Sequence, residues 1–271
     1  MNQLERKMCD TLKELGEEYN VIGIKAEFEA EGTRLEEALR LKEIVTKAGL
    51  DLTIKIGGCE AVKDMFDAKT IGCGAIVGPM IETAYAMKKY VKTAAFVFPP
   101  AEEENVDFYI NIETITGYEN FDEIVSAPEF EKVSGIVLGR VDMTGSLGMA
   151  RDDINSPRIF EMANKMSLKM RELGKAMVIG GGVSADSLPF FRNIEGRLDK
   201  FETRKVIFDA QKALASDKSE DGLIKAVGFE LMWLKNKRDF YGAIYCEDEA
   251  RIKMLETRYG NLMKKAGANH K

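Results

Sequence analysis

Histidine is almost missing from this 271-residue chain: the only one, His270, is the penultimate residue of a tail that reads AGANHK, where a frayed end is expected. Ser-His-Asp and Cys-His nucleophile systems, HExxH zinc proteases and most histidine-based acid–base schemes are thereby excluded. Carboxylates, lysines, tyrosines and a metal ion remain to carry any chemistry. Cysteine is sparse as well. Cys9, Cys59, Cys73 and Cys246 stand far apart, form no CxxC, and read as buried free thiols rather than a zinc site or a disulfide framework. Only 6 prolines occur in a chain that is 45% hydrophobic and 31% charged, which excludes a disordered or collagen-like class. Positive charge is not in excess either: 39 Lys and Arg face 45 Asp and Glu, the net charge is -6, and no basic run is interleaved with aromatics, so nucleic acid is not an expected partner. No apolar stretch approaches the length of a bilayer span, and the opening MNQLERKMCDTLKELGEEYN alternates charge with apolar residues in a helical pattern, unlike a signal peptide. A cytoplasmic protein with no membrane partner is expected.

What the chain does contain is alternation. Short runs rich in Val, Ile and Phe at 21–27, 51–56, 75–77, 93–98, 108–112, 135–138, 176–179 and 198–202 predict eight strands. Segments of helical period at 33–48, 60–69, 82–91, 118–125, 156–173, 186–193 and 205–215 follow most of them. Strands separated by helices predict a parallel sheet, and eight such units predict a closed (β/α)8 TIM barrel. The fourth and fifth runs are joined only by PPAEEENVD, too short for a crossover helix. Beyond Asp217 the pattern is helix alone, with Leu223, Ile224, Val227, Leu231 and Leu234 spaced as one buried stripe and a second helix expected over 247–266. The expected organisation is a catalytic barrel over 1–215 and a C-terminal helical extension over 216–271, packed on the barrel or on a neighbouring subunit of a homo-oligomer.

In a parallel barrel the chemistry gathers at the carboxyl ends of the strands. FYINIET places Glu113 just past an apolar run, and GIVLGRVDMTGSLG places Asp142 after the next. Two carboxylates from neighbouring strand ends are suitable hard ligands for Mg2+ or Mn2+, with positions left for water and a chelating substrate. Taken singly, each acid is equally explained as a helix cap or a turn residue. Lys55 ends DLTIK and has three readings: it binds a substrate anion, it pairs with Glu27 or another strand-end acid, or it forms a Schiff base with a ketone. IGGGVSAD, with Gly181 and Gly182, follows a strand and opens a helix, which suits either a phosphate-binding loop or a tight turn. Arg140 is a further candidate for binding an acidic substrate. Lys200, Glu202 and Arg204 at the last strand end predict either an enlarged polar pocket or a solvated corner.

The IxIET motif, followed by NFDEIVSAPEFEKVSGIVLGRVDMTGSLG and preceded by IGCGAIVGPMIETAYAMKKYV, resembles the HpcH/HpaI aldolase and citrate lyase β-subunit family over residues 21–195. The resemblance implies a divalent-metal barrel that handles pyruvate-like or acyl-CoA-derived enolates, with Glu113 and Asp142 at the metal-ligand positions. Departures accompany it. Lys25, Ala26, Glu27 and Phe28 stand where the family's pyruvate aldolases carry D-x-E-H, so Phe28 replaces the proton-transferring histidine. Lys55 stands where an arginine is usual. The strand that normally precedes the D-x-E-H strand is missing, because the chain begins with a helix.

The expected activity is a metal-dependent, aldolase-type carbon–carbon lyase acting through the enolate of a 2-oxo acid or related acid, either free or phosphorylated. Lys55 then binds the distal carboxylate oxygen, and Glu27 or a water moves protons. The alternatives are a barrel that binds an acidic or phosphorylated metabolite without turning it over, and a Schiff-base aldolase using Lys55.

Overall fold

The computed structural model describes residues 1–99, 106–194 and 196–268. The expected frayed tail at His270 and most of the PPAEEENVD connection lie outside those residues. Two compact units divide the chain, Met1–Glu230 and Leu231–Lys271.

The first unit is a closed eight-stranded barrel in which every strand pairs with its neighbours in sequence and the last returns to the first. Helix α1 (Gln3–Tyr19) opens the chain under a capping box between Asn2 and Glu5 and buries Met8, Leu12 and Leu15. Then come β1 (Val21–Glu27), α2 (Leu35–Lys47), β2 (Asp51–Lys55), α3 (Val62–Ile71), β3 (Ala75–Gly78), α4 (Ala84–Val97), β4 (Asp107–Asn111) and the short helices α5 (Ile115–Glu119) and α6 (Phe121–Ser126). After these follow β5 (Gly135–Gly139), α7 (Arg140–Ser146), α8 (Pro157–Leu173), β6 (Ala176–Gly180), α9 (Leu188–Arg192), β7 (Lys200–Glu202), β8 (Val206–Asp209) and α10 (Ala210–Ala215). Strands such as AIVG and GIVLG are buried at every position. That is the signature of a parallel sheet covered by helices on its outer face. Inside the barrel, Ala75, Val77, Tyr109, Val137 and Val178 form an apolar plug.

The strand count matches expectation, but its membership differs in two places. The run 93–98 is not a strand: it is the end of α4, whose buried residues Met87, Tyr90, Val91, Ala94 and Val97 recur at helical spacing. Read alone, its last six residues are a short apolar run that either period accommodates. The eighth strand is instead VIFD at the start of the expected 205–215 helix. It runs antiparallel to both β7 and β1, with Phe201 opposite Phe208 and Ile24 opposite Val206. A three-residue turn makes the reversal, closed by the Thr203 amide on Val206 O at 2.9 Å and the Val206 amide on Thr203 Oγ1 at 3.0 Å. The position between β7 and β1 is thus filled by an antiparallel strand that follows β7 directly in the sequence.

A single helix, α11 (Ser219–Ala268), replaces the two expected ones. In the first unit it buries Leu223, Ala226 and Phe229, whereas Ile224 and Val227 are exposed. In the second unit Leu231 and Leu234 are exposed too, so of the expected buried stripe only Leu223 is covered within the chain. The buried line is turned by a fraction of a helical turn from the one that Leu, Ile and Val spacing suggested, because Ala226 and Phe229 complete it. Among the described residues no helix is long and apolar enough to cross a membrane.

Candidate active site

Side chains alternate along a strand, so β4 points Tyr109 and Asn111 into the barrel and carries Glu113 at the same parity just beyond its end. Glu113 is 2% exposed. Its carboxylate accepts from Asn111 Nδ2 at 2.6 Å, from the Met80 amide at 3.2 Å and from Lys55 Nζ at 3.3 Å. Met80 follows β3 with φ of 49°, a left-handed conformation unfavourable for a side chain of this kind, and it aims its amide at Glu113. Glycine is required opposite: a Cβ on Gly139, at the end of β5, would press into the Glu113 carboxylate. Asp142 lies three residues further on, exposed, in the first turn of α7. Burial raises the Glu113 pKa, Lys55 and Asn111 oppose that rise, and the charge of Asp142 adds to it. Asn111 Oδ1 is buried and has no partner.

Around this pair the barrel mouth is lined with paired charges. Lys55 Nζ lies 2.7 Å from Glu29 Oε2 as well as beside Glu113. Of its expected partners, Glu27 is its register neighbour across β1 and β2, while the direct contacts go to Glu29 and Glu113. Burial pulls the Lys55 pKa down, but Glu113 and Glu29 outweigh it and the net direction is upward. Lys25 is bonded to Glu202 Oε1 at 2.5 Å and lies 3.2 Å from Glu27 Oε1. Burial alone would raise the Glu27 pKa; Lys25 and Lys55 overcome this and hold it below the usual carboxylate range. The β7–β8 turn contributes Lys205, ion-paired with Glu31, and Arg204, 3.9 Å from both Glu31 and Glu230. Lys205 is the one of the three mouth lysines whose pKa is lowered, burial outweighing Glu31. Lys200 belongs elsewhere: it donates to the Tyr109 hydroxyl at 2.8 Å, one turn of the pleat below Asn111.

Arg140, expected at the substrate, is completely buried. Its guanidinium donates to Gly180 O at 3.2 Å, Gly181 O at 3.1 Å, Ser187 Oγ at 3.1 Å and Asn155 Oδ1 at 2.5 Å. It also lies about 5 Å from the ring centres of Phe190 and Phe191. Gly181 and Gly182 have φ of 79° and 66°, and a Cβ on Gly181 would come within 2.7 Å of the Arg140 and Val141 amides. The glycines therefore let this loop close onto Arg140, and two of its carbonyls point at the guanidinium.

Glu29, Glu31, Asn111, Met80 and Lys205 were not singled out from sequence. A signal existed for Asn111, which shares strand parity with Glu113. None existed for Lys25 and Glu202 as partners, since 177 positions separate them.

Two carboxylates, an unpartnered amide oxygen and no third acid suit a cation that is also held by water and substrate. Among the described residues no three His, Cys, Asp or Glu side chains are grouped closely enough to hold a metal ion by themselves. The donors are all oxygen, the choice of Mg2+ and Mn2+ rather than of a thiolate-seeking ion.

No curated protein sequence matches the chain. In fold it is similar to a HpcH/HpaI aldolase/citrate lyase family protein from Burkholderia cenocepacia J2315, with a TM-score of 0.57 at 16% identity over 75% of this chain and 92% of that one. It is also similar to the citrate synthase SbnG, with a TM-score of 0.59 at 14% identity over 86% of this chain and 90% of the other. The sequence profile of one family, HpcH/HpaI aldolase/citrate lyase, matches residues 33–178, a segment that contains Lys55, Glu113 and Asp142. More than half the chain is covered by that match and the barrel agrees with it, so the chain belongs to the HpcH/HpaI aldolase/citrate lyase family of enzymes.

Proposed function

We propose that this protein is a divalent-metal-dependent carbon–carbon lyase acting through the enolate of a 2-oxo acid or closely related acid. The observation that carries the reading is the pairing of buried Glu113 with Asp142, two acids that repel each other beside an amide oxygen with no partner. Charge counting around the mouth supports it. The carboxylates of Glu27, Glu29, Glu31, Glu113, Asp142, Glu202 and Glu230 outnumber Lys25, Lys55, Lys205 and Arg204, so the mouth carries an excess of negative charge that favours a cation.

Glu113 and Asp142 would hold Mg2+ or Mn2+, which supplies neutralising charge where an enolate develops. The chain's own groups do the rest. Asn111 and the Met80 amide fix the Glu113 carboxylate, and Lys55 leaves Glu29 or Glu113 to meet a substrate carboxylate. Glu27 is held ionised by Lys25, which suits it to orient a water more than to retain a proton. Gly139 keeps the space beside Glu113 clear.

A Schiff base at Lys55 is the weaker reading, because an ammonium gripped by two carboxylates stays protonated and is not nucleophilic. A non-catalytic metabolite-binding barrel is the remaining one. A cytoplasmic homo-oligomer acting on a small acid fits the family and the exposed apolar residues of α11. The test is deuterium exchange from solvent into the methyl group of pyruvate, with Mn2+ or Mg2+ and with EDTA. Metal-dependent exchange supports enolisation; exchange that persists in EDTA overturns the metal reading, and no exchange under any condition favours the binding barrel.

A further inference from the structure

Arg140 is a large cation with no exposure, and the partners of its guanidinium are two carbonyls, an amide oxygen and a hydroxyl rather than a carboxylate, an arrangement that a barrel does not need for stability alone. What it joins is informative. Through its guanidinium, the first residue of α7 is tied to the loop after β6, to Ser187 at the start of α9 and to Asn155 in the turn before α8. Its guanidinium carbon also lies 5.1 Å and 5.0 Å from the ring centres of Phe190 and Phe191, which meet each other edge to face. Gly181 then packs so close to the Arg140 and Val141 amides that no side chain fits there. The far end of α7 is fastened independently, Ser146 Oγ accepting from the Ile115 amide at 2.9 Å, two residues after Glu113. Between these two fastenings sits Asp142, whose own side chain is exposed.

We infer that Arg140 is a positioning residue for Asp142: by clamping the amino end of α7 to the glycine loop after β6, it sets the distance of the Asp142 carboxylate from Glu113 and so the affinity for a divalent cation. The inference rests on the metal reading proposed above. A bidentate, planar fork is what the clamp uses, so charge alone does not replace it. Residues that orient metal ligands from behind typically alter affinity ten- to a hundredfold when changed.

The experiment is calorimetric titration of the full-length protein with Mn2+ alone, well below its melting temperature, on wild type, Arg140→Lys, Asn155→Ala and Leu12→Ala. Leu12 is fully buried in α1 and away from the site, so Leu12→Ala reports on destabilisation without repositioning. Arg140→Lys is expected to weaken Mn2+ binding roughly tenfold or more and to broaden the Mn2+ electron paramagnetic resonance signal. Asn155→Ala, which removes the 2.5 Å bond to Arg140 while leaving the core intact, is expected to weaken it by roughly threefold and carries the test if Arg140→Lys does not fold. Leu12→Ala is expected to leave affinity unchanged. Wild-type affinity in both clamp variants overturns the inference, and so does an equal loss in Leu12→Ala. Absence of Mn2+ binding in the wild type overturns the metal reading itself and the inference with it.

Discussion

Replacing Lys25 by Met removes a cation directly bonded to two buried carboxylates. Lys25 is 8% exposed, Glu202 4% and Glu27 8%, and the ammonium lies 2.5 Å from one and 3.2 Å from the other. Methionine fills nearly the same volume, so packing changes little and the effect is electrostatic. Deleting one partner of a buried ion pair costs about 3–5 kcal/mol, because the other charge stays behind without compensation. Against a total stability of roughly 5–15 kcal/mol that is a large fraction. For a domain of this size it corresponds to a fall of roughly 6–20 °C in melting temperature. Burial lowers the Lys25 pKa, but Glu202 and Glu27 outweigh it and the net shift is upward. A lysine whose folded pKa is raised contributes fully below its unfolded value of 10.5 and loses that contribution only above it. The difference between wild type and Lys25→Met is therefore flat from neutral pH to about pH 10. Urea unfolding followed by far-ultraviolet circular dichroism measures it. Adding Glu202→Gln to Lys25→Met should recover part of the loss, since one stranded charge is then gone. A Lys25→Met destabilisation below about 1 kcal/mol, or a double variant less stable than the single one, would refute the reasoning.

Glu113→Gln and Asp142→Asn are each expected to weaken Mn2+ binding by roughly a hundredfold while preserving the circular dichroism spectrum, since ligand charge dominates affinity for hard cations; unchanged titration curves in both would rule out the site. Lys55→Arg should keep activity within about tenfold, whereas Lys55→Met should lose roughly a hundredfold or more. Borohydride with pyruvate should give no mass shift, and an adduct mapped to Lys55 would establish the Schiff-base route instead. Glu27, held below its ordinary pKa by Lys25 and Lys55 against the effect of burial, contributes stability that is present above its unfolded pKa and lost as pH falls through the folded value. The stability gap between wild type and Glu27→Gln should accordingly narrow as urea midpoints are measured from neutral pH to below 4.5, and a constant gap would contradict the assigned direction.

Residues whose role follows from local pattern were legible in the sequence, and those whose role depends on a distant partner were not. Glu113 could be found because FYINIET is a strand whose parity and end are both visible. β5 and β6 were equally plain as uninterrupted apolar runs. The run 93–98 was misleading because six residues cannot distinguish the end of a buried helix from a buried strand, and the longer window that includes Met87 and Tyr90 settles it. VIFD was concealed by the helical residues that follow it, and nothing local reveals that a strand will run antiparallel. Arg140 drew attention as a charge beside a strand end. Its burial depends on carbonyls, an amide and two rings contributed from 15 to about 50 residues away, which no spacing rule reports.

The buried charges at the barrel mouth are related to one another through the strand order. Lys25 is a buried cation on β1, and such a charge is tolerable only if an anion approaches it. Glu202 on β7 supplies it at 2.5 Å, and β7 lies within reach because β8 alone separates it from β1. A parallel strand at that position would need a crossover connection, and its own chain direction would place a loop at the opposite face of the barrel. The antiparallel β8 instead places its three-residue turn at the mouth, so that Arg204 and Lys205 arrive beside Glu31 and Glu230. Lys25, its partner Glu202 and the cationic β7–β8 turn thus form one electrostatic arrangement. Aspartate at position 25 would set a third carboxylate against Glu27 and Glu202. Lys25→Asp should therefore be less stable than Lys25→Met at neutral pH, and the order should reverse or close only when acid protonates the cluster.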